Sequence, residues 1–221
     1  MLIPYHRQIL QKALAKEISP RALRIISKAN AKQDYLRGQI GHDEYHFDNN
    51  AFDESYAYIA ENHAQIHTAL KSGFVEEAWK AFGRLSHTAQ DFYAHSNYIK
   101  LWQSQFDDTD MPLAEEVNHN DKNIIQSPDL CSGKLYYPLE LFSYIPVLKK
   151  YIMPHIPKDS HAWINTDSPA QGPIFEYTFA AAVKVTRDEL GKVLNGLSEE
   201  KRKLFTDTLS LSSNKSEPLA W

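Results

Sequence analysis

The chain has 221 residues, a formal net charge of −4 and 43% hydrophobic residues, a composition typical of a folded globular protein. It lacks the basic excess of a protein whose affinity comes from neutralising nucleic-acid phosphates, so duplex DNA is not expected as a partner. Cys131 is the only cysteine, which excludes an intramolecular disulfide and a thiolate-rich zinc site. Any bound metal must therefore be held by histidines and carboxylates.

The N-terminal segment predicts neither secretion nor membrane insertion. Residues 1–20 carry basic side chains at short intervals and contain no apolar run of the signal-peptide type. No stretch of the chain reaches the apolar length of a membrane-spanning helix. We therefore expect a soluble, cytoplasmic protein.

Apolar residues recur at spacings of three and four along the chain, which predicts an all-α fold. We expect one multi-helix domain over residues 1–211 and a frayed tail over 212–221. A first helix begins near Pro4, and Ser19-Pro20 supplies an N-cap and a first-turn proline for a second helix that runs to Asp34. Ser72-Gly73 is typical of the end of a third helix.

The fourth helix is predicted from Val75 to Ile99, because small and apolar residues repeat along it for seven turns. Residues 103–138 lack sustained periodicity and are expected to form loops. Short helices should follow over 139–157, with the aromatic stretch between Tyr136 and Ile152 contributing mainly to the core. A long helix over 173–197 and a final helix over 199–211 complete the prediction.

Three side chains that can bind metal lie four residues apart on the fourth helix: His87, Asp91 and His95. At about 100° per residue they fall within an arc of about 80°, on the face opposite the apolar stripe. A solvated face would carry several Lys and Glu, but Asp91 is the only charged residue between Arg84 and Lys100. Burial of both helix faces, with Asp91 placed to bridge two metal ions, explains the pattern better than a solvated face does.

The order of these and earlier polar residues resembles the zinc-dependent phospholipase C superfamily, and in particular its heterokaryon-incompatibility branch. The residues that carry this resemblance are His6, Asn30-x-x-x-Asp34, His46-Phe-Asp-Asn, His87-x-x-x-Asp91 and His95-Ser-Asn97. The resemblance implies a helical fold with two or three zinc ions in a cleft. It also implies the ligands: Asp34, His46, His87 and Asp91 around a central ion, His6 with Asp91 at a second, and His95 at a third.

Two features depart from that superfamily. In its secreted members, an N-terminal tryptophan completes the metal site that contains the histidine matching His6. In this chain, Met1 lies only five residues before His6. The usual His-x-x-x-Glu pair for the third ion is missing, and His161 with Asp167 is the best substitute, followed by His119. His42, His63, His67 and His155 are expected to be structural or surface residues.

The implied function is hydrolysis of a phosphate ester by a metal-activated water, most simply a phosphodiester of the phospholipase C type. A phospholipid at a membrane surface is a candidate substrate. Asp34 is the candidate catalytic residue, as a ligand or as a general base. A single-strand nuclease or phosphomonoesterase, and a non-catalytic metal-binding protein, are the alternatives.

Overall fold

A computed structural model describes residues 1–143 and 145–208, and within those residues the chain is all-α, as the sequence predicts. The α-helices are α1 Ile3–Leu14, α2 Pro20–Ala31, α3 Leu36–Gln39, α4 Asp43–His46, α5 Phe52–Lys71, α6 Val75–His95, α7 Tyr98–Gln103, α8 Lys122–Ile125, α9 Leu139–Ser143, α10 Pro146–Ile152, α11 His161–Ile164, α12 Ile174–Asn195 and α13 Glu199–Thr206. Short 3₁₀ turns lie at Lys32–Asp34, Asp48–Asn50, Asp108–Asp110, Ala114–Glu116, Met153–His155 and Pro169–Gln171.

Helix α6 forms the centre of the structure and packs against α2, α5 and α12. From Leu85 to His95 every residue of α6 is buried, on the polar face as well as on the apolar one. The prediction that this helix is buried on both sides is therefore confirmed. The polar face of α6 consequently has to find its partners inside the protein.

Helices α2 and α6 cross very closely at Gly83. A Cβ atom at this position would lie 2.4 Å from the main-chain oxygen of Ile26 and 2.7 Å from the Cβ atom of Ala29. Because only glycine lacks a side chain, this contact brings the end of α2, with Asn30, directly against the polar face of α6.

The helix boundaries differ from the prediction at three places. Helix α2 ends at Ala31, and Asp34 follows in a 3₁₀ turn; α13 ends at Thr206, and the tail after residue 208 lies outside the described residues. Helix α6 stops at His95 and not at Ile99, because Ser96 adopts an extended conformation. The amide of Asn97 then donates to the carbonyl oxygen of Cys131.

An extended segment, residues 131–135, joins three separate pieces of chain. The amide of Gly133 donates to the carbonyl oxygen of His95, and the carbonyl oxygen of Gly133 accepts from the amide of Asn49. One residue later, the carbonyl oxygen of Lys134 accepts from the amide of His161. We call this segment the clasp, since it fixes the end of α6, the turn after α4 and the start of α11 relative to one another.

The aromatic stretch expected in the core is largely exposed, so that prediction was wrong. Tyr137, Phe142, Ile145 and Tyr151 are between 45% and 61% exposed, and Tyr144 lies outside the described residues. The physical reason is that α9 and α10 pack mainly against each other and the 3₁₀ turn that follows, and not against α6. Across the described ranges, no helix combines the length and the apolar content needed to cross a bilayer.

Candidate metal centre

Asp91 lies at the middle of the cluster, completely buried on α6. Its Oδ1 atom lies 3.2 Å from His6 Nε2, and its Oδ2 atom lies 3.0 Å from His87 Nε2 and 2.9 Å from His46 Nδ1. Each oxygen of this carboxylate thus faces a different set of imidazoles. That Asp91 bridges two metal ions, as the helix spacing suggests, stays a prediction.

Asp34, like Asp91, faces His6 with one carboxylate oxygen and His87 with the other. Its Oδ2 atom lies 3.8 Å from His6 Nε2, and its Oδ1 atom lies 3.7 Å from His87 Nε2. The rings of His6 and His87 are stacked, with centroids 4.3 Å apart and an angle of 29° between their planes, and the Nε2 atom of each faces both carboxylates. His6, Asp34, His87 and Asp91 form one group of candidate metal ligands, with donor atoms within 4.8 Å of one another.

A second group of candidate ligands consists of Asp48, His95 and His161. His95 Nδ1 lies 3.3 Å from Asp48 Oδ1, and His161 Nε2 lies 3.9 Å from the same oxygen. On its other edge, His95 Nε2 lies 3.1 Å from Asp167 Oδ1. The structure therefore brings His161 and Asp167 to His95 across more than sixty residues of sequence, held there by the clasp and by a hydrogen bond from the Thr166 amide to the Ala94 carbonyl oxygen.

His46 links the two groups through its side chain and its main chain. Its Nε2 atom lies 3.3 Å from the carbonyl oxygen of Gly38, and its Nδ1 atom lies 2.9 Å from Asp91 Oδ2. Its own carbonyl oxygen lies 3.0 Å from His95 Nδ1. This geometry follows from left-handed backbone conformations at Phe47 and Asn49, which turn the chain sharply after α4.

The α-amino group of Met1 also lies in the cluster, completely buried. It is 2.6 Å from Asp91 Oδ1, 3.0 Å from His95 Nε2 and 3.2 Å from Asp167 Oδ1. Burial would lower the pKa of this amine, but Asp167 and Asp91 outweigh it and raise the pKa to about 11. The positive charge of this amine thus faces one oxygen of each of these two carboxylates.

Asp91 and Asp167 are held in their charged form. Burial would raise the pKa of Asp91, but the Met1 amine and then His87 and His95 outweigh it and hold the pKa well below its ordinary value. The pKa of Asp167 is lowered in the same way, against its burial, by the amine and by His95. Burial lowers the pKa of His87 to about 4, so this imidazole is neutral and can offer a lone pair.

A cleft of about 510 Å³ leads from the surface to the cluster. Asp34, His46, Asp48, His95, His161 and Asp167 line its inner part. Leu2, Ile3, Pro4, Leu135 and Tyr137 form its apolar walls. The cleft is therefore polar and rich in carboxylates on one part of its lining and apolar on the other.

Sequence reasoning missed Asp48 and Gln90. Asp48 was visible only as part of a His-x-Asp turn, which by itself is a weak signal, because such turns commonly close on their own backbone. Gln90 lies between the ligands on α6 and contacts His6, but a glutamine in a helix carries no signal in sequence. His119, the alternative third-site ligand, instead pairs with Asp188 at 2.7 Å and belongs to neither group.

Comparison with known proteins identifies the family. A family model described as the VWA7 N-terminal domain matches residues 6–125, more than half of the chain, so the chain belongs to this family. No curated protein and no solved structure matches it. His161 and Asp167 lie beyond the matched residues, whereas the other candidate ligands lie within them.

The family assignment overturns the resemblance to the zinc-dependent phospholipase C superfamily. The spacing His87-x-x-x-Asp91 is a general consequence of helix geometry, because any helix that presents two ligands to one ion places them one turn apart. A substrate cannot be taken over from that superfamily. The geometry of the cluster is the remaining evidence on function.

Proposed function

We propose that this member of the VWA7 N-terminal domain family holds two or three zinc ions in the cluster and hydrolyses phosphate esters in the cleft above it. The observation that carries the proposal is the pair of carboxylates, Asp34 and Asp91: in each, one oxygen faces His6 and the other faces His87. Carboxylates shared in this way are suited to two neighbouring divalent ions, the arrangement used for in-line displacement at phosphorus.

The distances in the first group suit zinc. Bonds of about 2.0–2.1 Å in a tetrahedron place neighbouring ligand atoms about 3.3 Å apart. The separations between these histidine nitrogens and carboxylate oxygens run from 3.0 Å to 3.8 Å. Among the described residues, neither His6 Nε2 nor Asp34 Oδ2 has an aligned hydrogen-bond partner, although both are buried. Such atoms point past one another toward a common centre, as ligand lone pairs do.

The chemistry of the donor set also favours zinc, because it consists of imidazole nitrogens and carboxylate oxygens without a thiolate. Divalent ions at these positions would lower the pKa of water and neutralise charge on a phosphoryl group. Asp34 lines the cleft, where it can act as a ligand or accept a proton from the attacking water. His161 and Asp167 extend the polar floor toward a third ion.

The preferred substrate is a phosphodiester with a small headgroup and an apolar leaving group. The cleft has apolar walls near its mouth, and the chain as a whole is acidic, with a net charge of −4. A long polyanion such as single-stranded nucleic acid would need a basic track leading to the site. A single phosphate needs only the ions.

Metal content is the first test of the proposal. Protein purified without chelator is expected to contain two or three equivalents of zinc by elemental analysis. Asp91→Asn should lose more metal than His87→Ala, because Asp91 faces both positions, and the exposed His155→Ala serves as the matched control. Less than one equivalent of divalent metal in the wild-type protein, or full occupancy in Asp91→Asn, would contradict the proposed centre.

Turnover is the second test. Zinc-loaded protein should hydrolyse a chromogenic phosphocholine diester faster than single-stranded DNA or a phosphate monoester, with phosphatidylcholine vesicles as a further substrate. Asp34→Asn should abolish turnover, while the exposed Asp107→Asn should leave it unchanged. Faster cleavage of DNA would favour a nuclease, and no turnover of any substrate by fully loaded protein would favour a non-catalytic metal-binding protein.

A further inference from the structure

A buried chain of hydrogen bonds runs from α12 through α6 to His6. The hydroxyl of Thr186 donates to the carbonyl oxygen of Ala182 at 2.7 Å, and Gln90 Nε2 lies 2.9 Å from the same hydroxyl oxygen. At the other end of the amide, Gln90 Oε1 lies 2.6 Å from His6 Nδ1. The side chains of Thr186, Gln90 and His6 are all fully buried, so water does not compete for these bonds.

The chemistry of these groups fixes the direction of every bond. A hydroxyl has one proton, and Thr186 donates it to the carbonyl oxygen of Ala182. Toward Gln90 the Thr186 oxygen can therefore only accept a hydrogen bond. The NH₂ group of Gln90 must face it. The Gln90 oxygen therefore faces His6, and Asn30 Nδ2, 3.3 Å away, donates to the same oxygen. Because an amide oxygen cannot donate, His6 Nδ1 must carry the proton.

The consequence for a neutral His6 is that Nε2 keeps its lone pair. Without this constraint, a buried imidazole beside Asp91 would place its proton on Nε2 and donate to the carboxylate, 3.2 Å away. That tautomer pairs the imidazole with the carboxylate but cannot bind a metal ion through Nε2. In the described part of the chain, His6 Nε2 has no aligned hydrogen-bond partner, which agrees with the free lone pair.

We infer that Gln90 and Thr186 are positioning residues that hold His6 in the tautomer able to bind metal. This inference rests on the proposed zinc centre, to which it adds two residues that do not themselves contact an ion. It also assigns a role at the site to α12, the helix that carries Thr186. This helix lies beyond the residues that match the family model.

The tautomer is measurable directly. Protein labelled with ¹⁵N at histidine is examined by NMR, stripped of metal with a chelator and also loaded with zinc, at a pH above the ordinary imidazole pKa of about 6.5. The wild-type protein should show the proton of His6 on Nδ1 in both states. A proton on Nε2 in the stripped protein would overturn the inference, and this measurement needs no variant to fold.

Two variants test the role of Thr186. Thr186→Val keeps the side-chain shape but removes the acceptor, so the Gln90 amide can turn over, His6 should show both tautomers, and zinc affinity should fall by about 10- to 100-fold. Thr186→Ser restores the hydroxyl and should restore both. Unchanged zinc affinity in Thr186→Val would refute the positioning role. If the wild-type protein shows the expected tautomer but retains no zinc, the proposed metal centre fails and the positioning role fails with it.

Discussion

The close crossing of α2 and α6 makes Gly83 sensitive to the smallest possible substitution. Replacing a glycine by alanine inside a helix normally stabilises the protein by about 1 kcal/mol. At Gly83 the added Cβ atom would meet the main-chain oxygen of Ile26 at 2.4 Å, about 1 Å inside an ordinary contact, and neither helix backbone can rotate away. Overpacking of this kind costs about 1–3 kcal/mol, and a backbone contact lies near the upper value.

Gly83→Ala should therefore lower the free energy of unfolding by about 2 kcal/mol, the difference between the cost of overpacking and the gain in helix propensity. Gly191 on α12 is the matched control, because a Cβ atom there would meet nothing within 4 Å. Gly191→Ala should stabilise the protein by about 1 kcal/mol. Urea denaturation of both variants gives these free energies, and a Gly83→Ala variant as stable as the wild type would refute the close crossing.

Three further perturbations follow from buried contacts. Gly133→Ala would place a Cβ atom 2.4 Å from the Cα atom of His161, so zinc content should fall while far-UV circular dichroism stays unchanged. Burial would raise the pKa of Glu189, but hydrogen bonds from His63 and from a lysine one turn later outweigh it and leave that pKa lowered. Glu189→Gln should therefore destabilise the protein at neutral pH, and the difference from wild type should shrink as the pH falls below about 4.3, as acid titrations of stability would show. Trp79→Phe removes a 2.7 Å hydrogen bond to a carbonyl oxygen of α13 and should cost about 1–3 kcal/mol in urea denaturation.

The sequence predicted those parts of the molecule that depend on local periodicity. The helical class, the burial of both faces of α6 and the common direction of His87, Asp91 and His95 follow from a 3.6-residue repeat and from the lack of charged residues around Asp91. The N-cap at Ser19 is confirmed by its hydrogen bond from the Ala22 amide. None of these features requires knowledge of a distant contact.

The remaining features depend on contacts between distant segments. Asp48 joins the second ligand group only because the chain turns sharply after His46, where Phe47, Asn49 and Asn50 have left-handed backbone conformations. Gln90 faces His6 because α1 and α6 are brought together by other helices, and its sequence neighbours give no indication of this. The exposed aromatic residues of α9 and α10 have the composition of a core, and composition alone does not reveal which helix is available to cover them.

The clasp has a consequence for protein engineering. The amide of Lys134 donates to the carbonyl oxygen of Asp159, and the carbonyl oxygen of Lys134 accepts from the amide of His161. The excursion between Lys134 and Asp159 therefore starts and ends at these paired main-chain groups. The closure entropy of such a loop changes only slowly with its length. An exposed position in α10 is accordingly a place where a reporter domain can be inserted without displacing His161, because the contact of Glu140 with the Ala162 amide stays intact.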